Sequence, residues 1–213
     1  MKGLLLKDLY TVYSYKKQYT LIVGFMLIWA IFMKNVAFIS IYMLILGGML
    51  VLSSMSTDEA VHFNRLALTM PISPATLVKS KYILLIITMG GGTILACIIN
   101  AICLQFLNKW MSGFDWQGIV LTALVFIITY SITLPLIFKM GVEKARYVYI
   151  GVMLGLALLI LGTASLLEKL GISIGEIEDV NGGYLIIGLL GISVLVLVIS
   201  YLCSLKVVKK KEW

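Results

Sequence analysis

Six apolar runs of about 20 residues constrain this chain more than any motif in it. They fall at approximately 17–33, 36–56, 82–107, 117–138, 147–167 and 183–205. A helix of that length crosses the roughly 30 Å hydrocarbon layer of a bilayer. Within lipid every backbone N–H and C=O needs a partner, which a helix supplies from its own segment. Composition agrees: 61% of the 213 residues belong to the AVILMFWYC set and only 13% are charged. A globule this small has too much surface for its volume to hide that much apolar area from water. The expectation is an all-α polytopic membrane protein, one transmembrane domain over residues 1–213 with six transmembrane helices. A soluble enzyme, a secreted disulfide scaffold and a disordered binder are excluded. Only Lys34-Asn35 separates the first run from the second, which reads as a helical hairpin with a tight turn.

Charge placement sets the orientation. Of the 17 lysines and arginines, only Lys34, Lys109 and Lys169 fall on one side of the six runs; the other fourteen share the opposite side with both termini. The positive-inside rule then makes both termini cytoplasmic in a multi-pass protein, and the excess of lysine over arginine, 15 to 2, points to a bacterial cell membrane. The formal charge of +7 reads as a topology and anionic-lipid signal rather than a nucleic-acid footprint. Cys97, Cys103 and Cys203 all lie in apolar runs and read as inert thiols.

Segment 1–16 interleaves leucines and tyrosines with Lys2, Lys7, Asp8 and Lys16. Leu5, Leu9, Val12 and Tyr13 share one side at helical spacing, with Lys7 and Ser14 opposite. This reads as an amphipathic helix lying in the interface before the first span. The longest internal loop, 57–81, reads as helix, break, helix. Thr57 or Asp58 would cap the first helix and Pro71 would end it near Thr69. Ser73 would cap the second, with Pro74 in its first turn. Phe63 and Leu66, three residues apart, are the expected apolar anchors for a partner. Asp58 and Glu59 are expected at the N-terminal end of the short helix, where its dipole favours negative charge, or paired with a basic residue of the first helix.

The sequence holds no G-x-x-x-x-G-K-[ST] phosphate loop, no H-E-x-x-H and a single histidine, His62. No Asp, Glu, Lys or Arg stands deep in the six runs, where ion-coupled transporters keep such groups. Asn100 and Gln105 are the nearest candidates for a pathway, with bonding across a helix interface as the plainer reading. Gly90-Gly91-Gly92 reads as a close helix approach. Gly151 and Gly155, one turn apart, read as a helix-packing face within the chain or against a partner subunit. A membrane protein of this composition draws its energy from elsewhere, most economically from a partner ATPase. An intramembrane enzyme lacks its acid pair, histidine or metal set here. A non-transporting structural or sensory membrane subunit is the alternative.

Three stretches in order carry a family resemblance: Asp58-Glu59, then Leu68-Thr69-Met70-Pro71-Ile72-Ser73, then Val78-Lys79-Ser80-Lys81-Tyr82. Together with the opening Met1-Lys2-Gly3-Leu4-Leu5-Leu6-Lys7-Asp8 and the Leu134–Arg146 segment, they resemble ABC-2 type transporter permeases. Pro74 stands where that family often has arginine. The resemblance implies a permease subunit that pairs with a second permease, as homo- or heterodimer, and with two cytosolic ABC ATPases. ATP and magnesium would bind on the ATPase, with no cofactor in this chain. It further implies that segment 1–16 is an elbow helix and that 57–81 carries the coupling helix. Asp58, Glu59, Phe63, Leu66, Pro71, Ser73, Lys79 and Lys81 are then candidate coupling residues. Lys139, Glu143, Lys144 and Arg146 form the second cytoplasmic loop, a rival for the same role. Similar small permeases export amphipathic or antimicrobial peptides, such as phenol-soluble modulins, or confer resistance to them. The acidic 168–182 segment reads as a solvated outer loop or as an attraction for cationic peptide.

Overall fold

The computed structural model describes residues 2–33, 37–63, 66, 73–107, 116–169 and 182–210, with some side chains inside the helices left out. All of the regular structure in these residues is helical. The helices are α1 (Lys2–Ser14), α2 (Lys16–Met33), α3 (Ala37–Ala60), α4 (Pro74–Leu107), α5 (Trp116–Met140), α6 (Val142–Lys169) and α7 (Gly182–Lys210). Four stretches are long and apolar enough to cross a membrane: Ser40–Ala60, Pro74–Ile102, Trp116–Met140 and Gly183–Lys210. They match the second, third, fourth and sixth expected spans. The first and fifth fall on α2 and α6, which are helical but not among these four.

The 57–81 segment differs from its reading in the first of its two helices. Helix α3 runs unbroken through Asp58 and Glu59, while α4 begins at Pro74, where the second helix was expected to start. Thr57 does not cap a new helix; its hydroxyl donates to the carbonyls of Ser53 and Ser54, as an interior helical threonine does. Asp58 and Glu59 therefore stand at a helix C-terminus, where the dipole opposes negative charge. His62, at φ +51°, ends this helix in a left-handed turn. Ser73 does cap the next helix: Thr76 N–H donates to Ser73 Oγ at 3.3 Å, with Pro74 as the first helical residue. At 34 residues, α4 is about 50 Å long, well beyond the hydrocarbon thickness.

The core lies among α3, α4, α5 and α7, with Leu44, Leu84, Leu85, Tyr130 and Leu134 almost fully buried. Small residues let α3 and α4 touch along their backbones. A Cβ on Gly47 would lie 3.0 Å from the Thr88 carbonyl oxygen, and one on Gly92 would lie 3.2 Å from that of Met43. The close approach expected of the triple glycine thus rests on Gly92; Gly90 and Gly91 face open space. Gly48 leaves room for the Tyr130 ring, which a Cβ there would overlap. Tyr130 Oη donates to the Ile45 carbonyl at 3.3 Å and meets Tyr149 Oη at 3.0 Å, joining α5 to α3 and α6.

Pro135 sits inside α5 and cannot supply the N–H that the Ser131 carbonyl would accept in a regular helix. Ser200 Oγ of α7 donates to that carbonyl instead. Tyr82 Oη of α4 then bonds Ser200 Oγ at 2.5 Å and Ser204 Oγ at 2.8 Å. A helix-breaking residue in an apolar bundle is thus satisfied by a neighbouring hydroxyl, and the repair binds three helices together.

Among the described residues, nothing lies within 4 Å of a Cβ placed on Gly151 or Gly155. Asn100 is buried and Gln105 exposed, so the two amides do not share one side of α4.

Candidate coupling site at one end of the bundle

Val12 of α1, Met55 of α3, Leu77 of α4, Phe138 of α5, Val142 of α6 and Val208 of α7 meet in the main core cluster. The Lys7–Asp58, Glu59–Val142 and Tyr82–Ser204 contacts bring the 57–63 turn, the 139–146 connection, α1 and the last turns of α7 to one end of the bundle. Both candidate coupling regions belong to it.

Helix α1 docks here through Leu4, Asp8 and Val12. Leu4 and Asp8, one turn apart, are buried, while Leu6, Leu9, Tyr10 and Tyr13 are exposed. The charged Asp8 turns inward to its partners.

Those partners form a closed set of four charges. Lys81 Nζ lies 2.8 Å from Asp8 Oδ1 and 2.6 Å from Asp58 Oδ2. Lys7 Nζ lies 2.5 Å from Asp58 Oδ1 and 3.2 Å from Asp8 Oδ1. Ser54 Oγ donates to Asp8 Oδ1 at 3.0 Å and accepts from Lys81 Nζ at 2.9 Å. Two cations and two carboxylates cancel, and three helices supply them. Burial is nearly complete for Asp8, at 0% exposed, and for Lys81, at 3%. In such surroundings a charge is tolerable only when paired and hydrogen-bonded. Pairing also explains why α3 and α4 continue through Asp58 and Lys81: neither side chain needs water. The pairing of Asp58 with a lysine of the first helix agrees with one of the two sequence expectations; the N-terminal dipole position does not.

Glu59 does something different. Its Oε2 accepts the Val142 N–H at 2.6 Å. Val142 opens α6, and Gly141 before it serves two helices at once. Gly141 N–H donates to the Ile137 carbonyl at 2.9 Å, closing α5, and its own carbonyl accepts from Ala145 at 3.1 Å, opening α6. This double duty requires φ +86°, which glycine alone adopts freely. A glycine at the start of a helix has no side chain to cap it, so Glu59 supplies the cap from α3. The carboxylate occupies the space a Cβ on Gly141 would need. The two connections, read from the sequence as rivals, are one hydrogen-bonded unit.

Phe63 is half-buried against the core, with Lys7 Nζ 3.7 Å above its ring. It holds the turn to α1 rather than standing clear of the molecule. Val61 and Leu66 are exposed at 64% and 54%. Lys79, Lys139, Glu143 and Lys144 are also exposed. Lys139 falls in the last turn of α5 and Glu143 in the first of α6, each where the helix dipole favours its sign. Pro71 and Arg65 lie outside the described residues, as does the side chain of Arg146 and the 170–181 part of the acidic outer segment. Lys7, Asp8, Ser54 and Gly141 were not among the expected site residues. An acid directly after a lysine within an apolar helix was the available signal for the first two.

An all-helical bundle with four membrane-crossing stretches and a charged, buried lock at one end is a multi-pass membrane protein. The family model for "ABC-2 family transporter protein" matches residues 3–209, nearly the whole chain. The chain belongs to the ABC-2 transporter family. Comparison with curated proteins gives no match, and neither does comparison with solved structures. Membership makes this a membrane subunit of the permease kind, in a family that works with an ABC ATPase.

Proposed function

We propose that the chain is the permease subunit of an ABC exporter that moves amphipathic or antimicrobial peptides, driven by a separate cytosolic ATPase. It has both termini in the cytoplasm, α2 and α6 complete six spans, and a second permease forms the other half of the pathway. The observation that carries the coupling role is the Glu59–Val142 hydrogen bond. A displacement of the 57–63 turn moves the start of α6 with it, and the Lys81–Asp8 pair carries the same displacement to α1 and α4. Exposed Val61 and Leu66 offer the apolar contacts, and exposed Lys79 and Lys144 the polar ones, that a docking surface needs. The peptide cargo rests on the resemblance to small peptide exporters and on the apolar spans.

Single cysteines at 60–63, 66 and 139–144, in a background with Cys97, Cys103 and Cys203 replaced, test the coupling role. Crosslinks to the ATPase from Val61 and Leu66 are expected, with transport of a labelled cationic amphipathic peptide into vesicles that hold both subunits. Crosslinks confined to 139–144 would move the contact there. Failure of both regions to crosslink would sink the assignment.

A further inference from the structure

A groove of about 380 Å³ opens beside this end of the bundle, between the α1–α2 corner and the α3–α4 pair. Leu9, Val12 and Val23 form one wall, and Met43, Leu50 and Leu95 face them. Its lining runs along α4 from Ile87 to Leu95, about 12 Å at the helical rise. Gly91 leaves the groove open, since a Cβ there would meet nothing within 4 Å. Thr88, also in the lining, already donates its hydroxyl to the Leu84 and Leu85 carbonyls of its own helix. The lining described contains no carboxylate, and its one ionised group is Lys16. Lys16 Nζ is held by Tyr13, at 2.6 Å from its Oη and 3.8 Å from its ring centroid. One of its three donors is used there, and exposed Lys17 follows it.

We propose that this groove is a binding site for one anionic glycerophospholipid of the leaflet next to the chain termini. One acyl chain lies along Ile87–Leu95 and the phosphate meets Lys16. The lining and the charge argue for an anionic lipid: Leu9, Leu50, Ile87 and Leu95 suit an acyl chain, and Lys16 at the rim suits an anionic headgroup. Moving an acyl chain from bilayer to groove exchanges one apolar setting for another and gains little. Selectivity therefore comes from the cation at the rim. A lysine near the surface favours an anionic over a zwitterionic headgroup by about fivefold. The site is separate from the Lys81–Asp8–Asp58 network, whose charges are already paired. It does not depend on the transport reading.

Native mass spectrometry of the full-length chain, titrated with phosphatidylglycerol or with phosphatidylcholine of identical acyl chains, tests this without any ATPase. The first phosphatidylglycerol is expected to bind about fivefold more tightly than phosphatidylcholine. Lys16→Gln should bring the two to parity, and Gly91→Leu should weaken the first adduct of both. An undiminished preference in Lys16→Gln, or wild-type binding in Gly91→Leu, overturns the proposal. A photoreactive residue at Leu95 gives a check that needs no groove-filling variant. Its crosslink should go to an acyl chain, and a crosslink to a second copy of the chain overturns the site.

Discussion

Two polar regions hold this apolar bundle together, and they use different chemistry. At the end that gathers α1, α3 and α4, four full charges and a serine close on one another. Further along α5 and α7, where Pro135 interrupts the backbone ladder, only neutral hydroxyls bridge the helices. The difference follows from the cost of desolvation. A lone ammonium or carboxylate in hydrocarbon is expensive, so ions occur as a balanced set, with Lys7 of α1 and Lys81 of α4 closing on two carboxylates. A hydroxyl costs far less to bury and can repair a single missing backbone donor. One region fixes an orientation among three separate segments; the other mends one helix and joins it to its neighbours.

The largest effect should come from unbalancing the charged region. Lys81→Met leaves Asp8 and Asp58 buried around a missing cation and is expected to cost about 3–5 kcal/mol. Adding Asp8→Asn leaves Lys7 facing Asp58, a balanced pair, so the double variant should be more stable than the single one. Thermal unfolding in detergent measures both, and a double variant no better than Lys81→Met would break the reading of this region as a closed charge set. High salt should change the wild-type midpoint little, because buried pairs are poorly screened.

An intermediate effect is expected where a charge serves a backbone donor. Glu59→Ala removes the cap of α6 and should cost about 0.5–2 kcal/mol. Hydrogen exchange at Val142 should accelerate, while amides in the middle of α5 keep their protection. Unchanged exchange at Val142 would separate the two connections that the hydrogen bond joins.

The smallest and sharpest test lies in the hydroxyl region. Ser200→Ala orphans the Ser131 carbonyl and is expected to cost about 1 kcal/mol. Pro135→Ala restores an N–H to serve that carbonyl, so it should be less harmful, or stabilising, in the Ser200→Ala background than in wild type. A double-mutant cycle showing additivity would mean that the serine does not repair the proline.

Much of the scaffold was legible because it follows from local rules. Apolar run length set four of the membrane-crossing helices, and Ser73-Pro74 marked the start of α4 by the chemistry of capping. What was misread is the start of a new helix at Thr57-Asp58. Asp58 instead lies within a continuous helix, because its carboxylate finds its counter-charges on two other segments. The pattern of the segment showed where a cap could form, but not that the preceding helix would continue through it.

The sequence by itself determined that this chain is helical and membrane-spanning, and its ordered motifs pointed to the ABC-2 family. Periodicity, run length and charge bias act through nearest neighbours and the solvent. Only the tertiary structure decided that Lys7 and Asp8 close on Asp58 and Lys81, and that Glu59 caps a helix more than 80 residues away. It also decided that Ser200 mends the gap left by Pro135. Each of these is a long-range pairing imposed by the need to satisfy a polar group out of water, and residue spacing along the chain carries no record of which partner will do so.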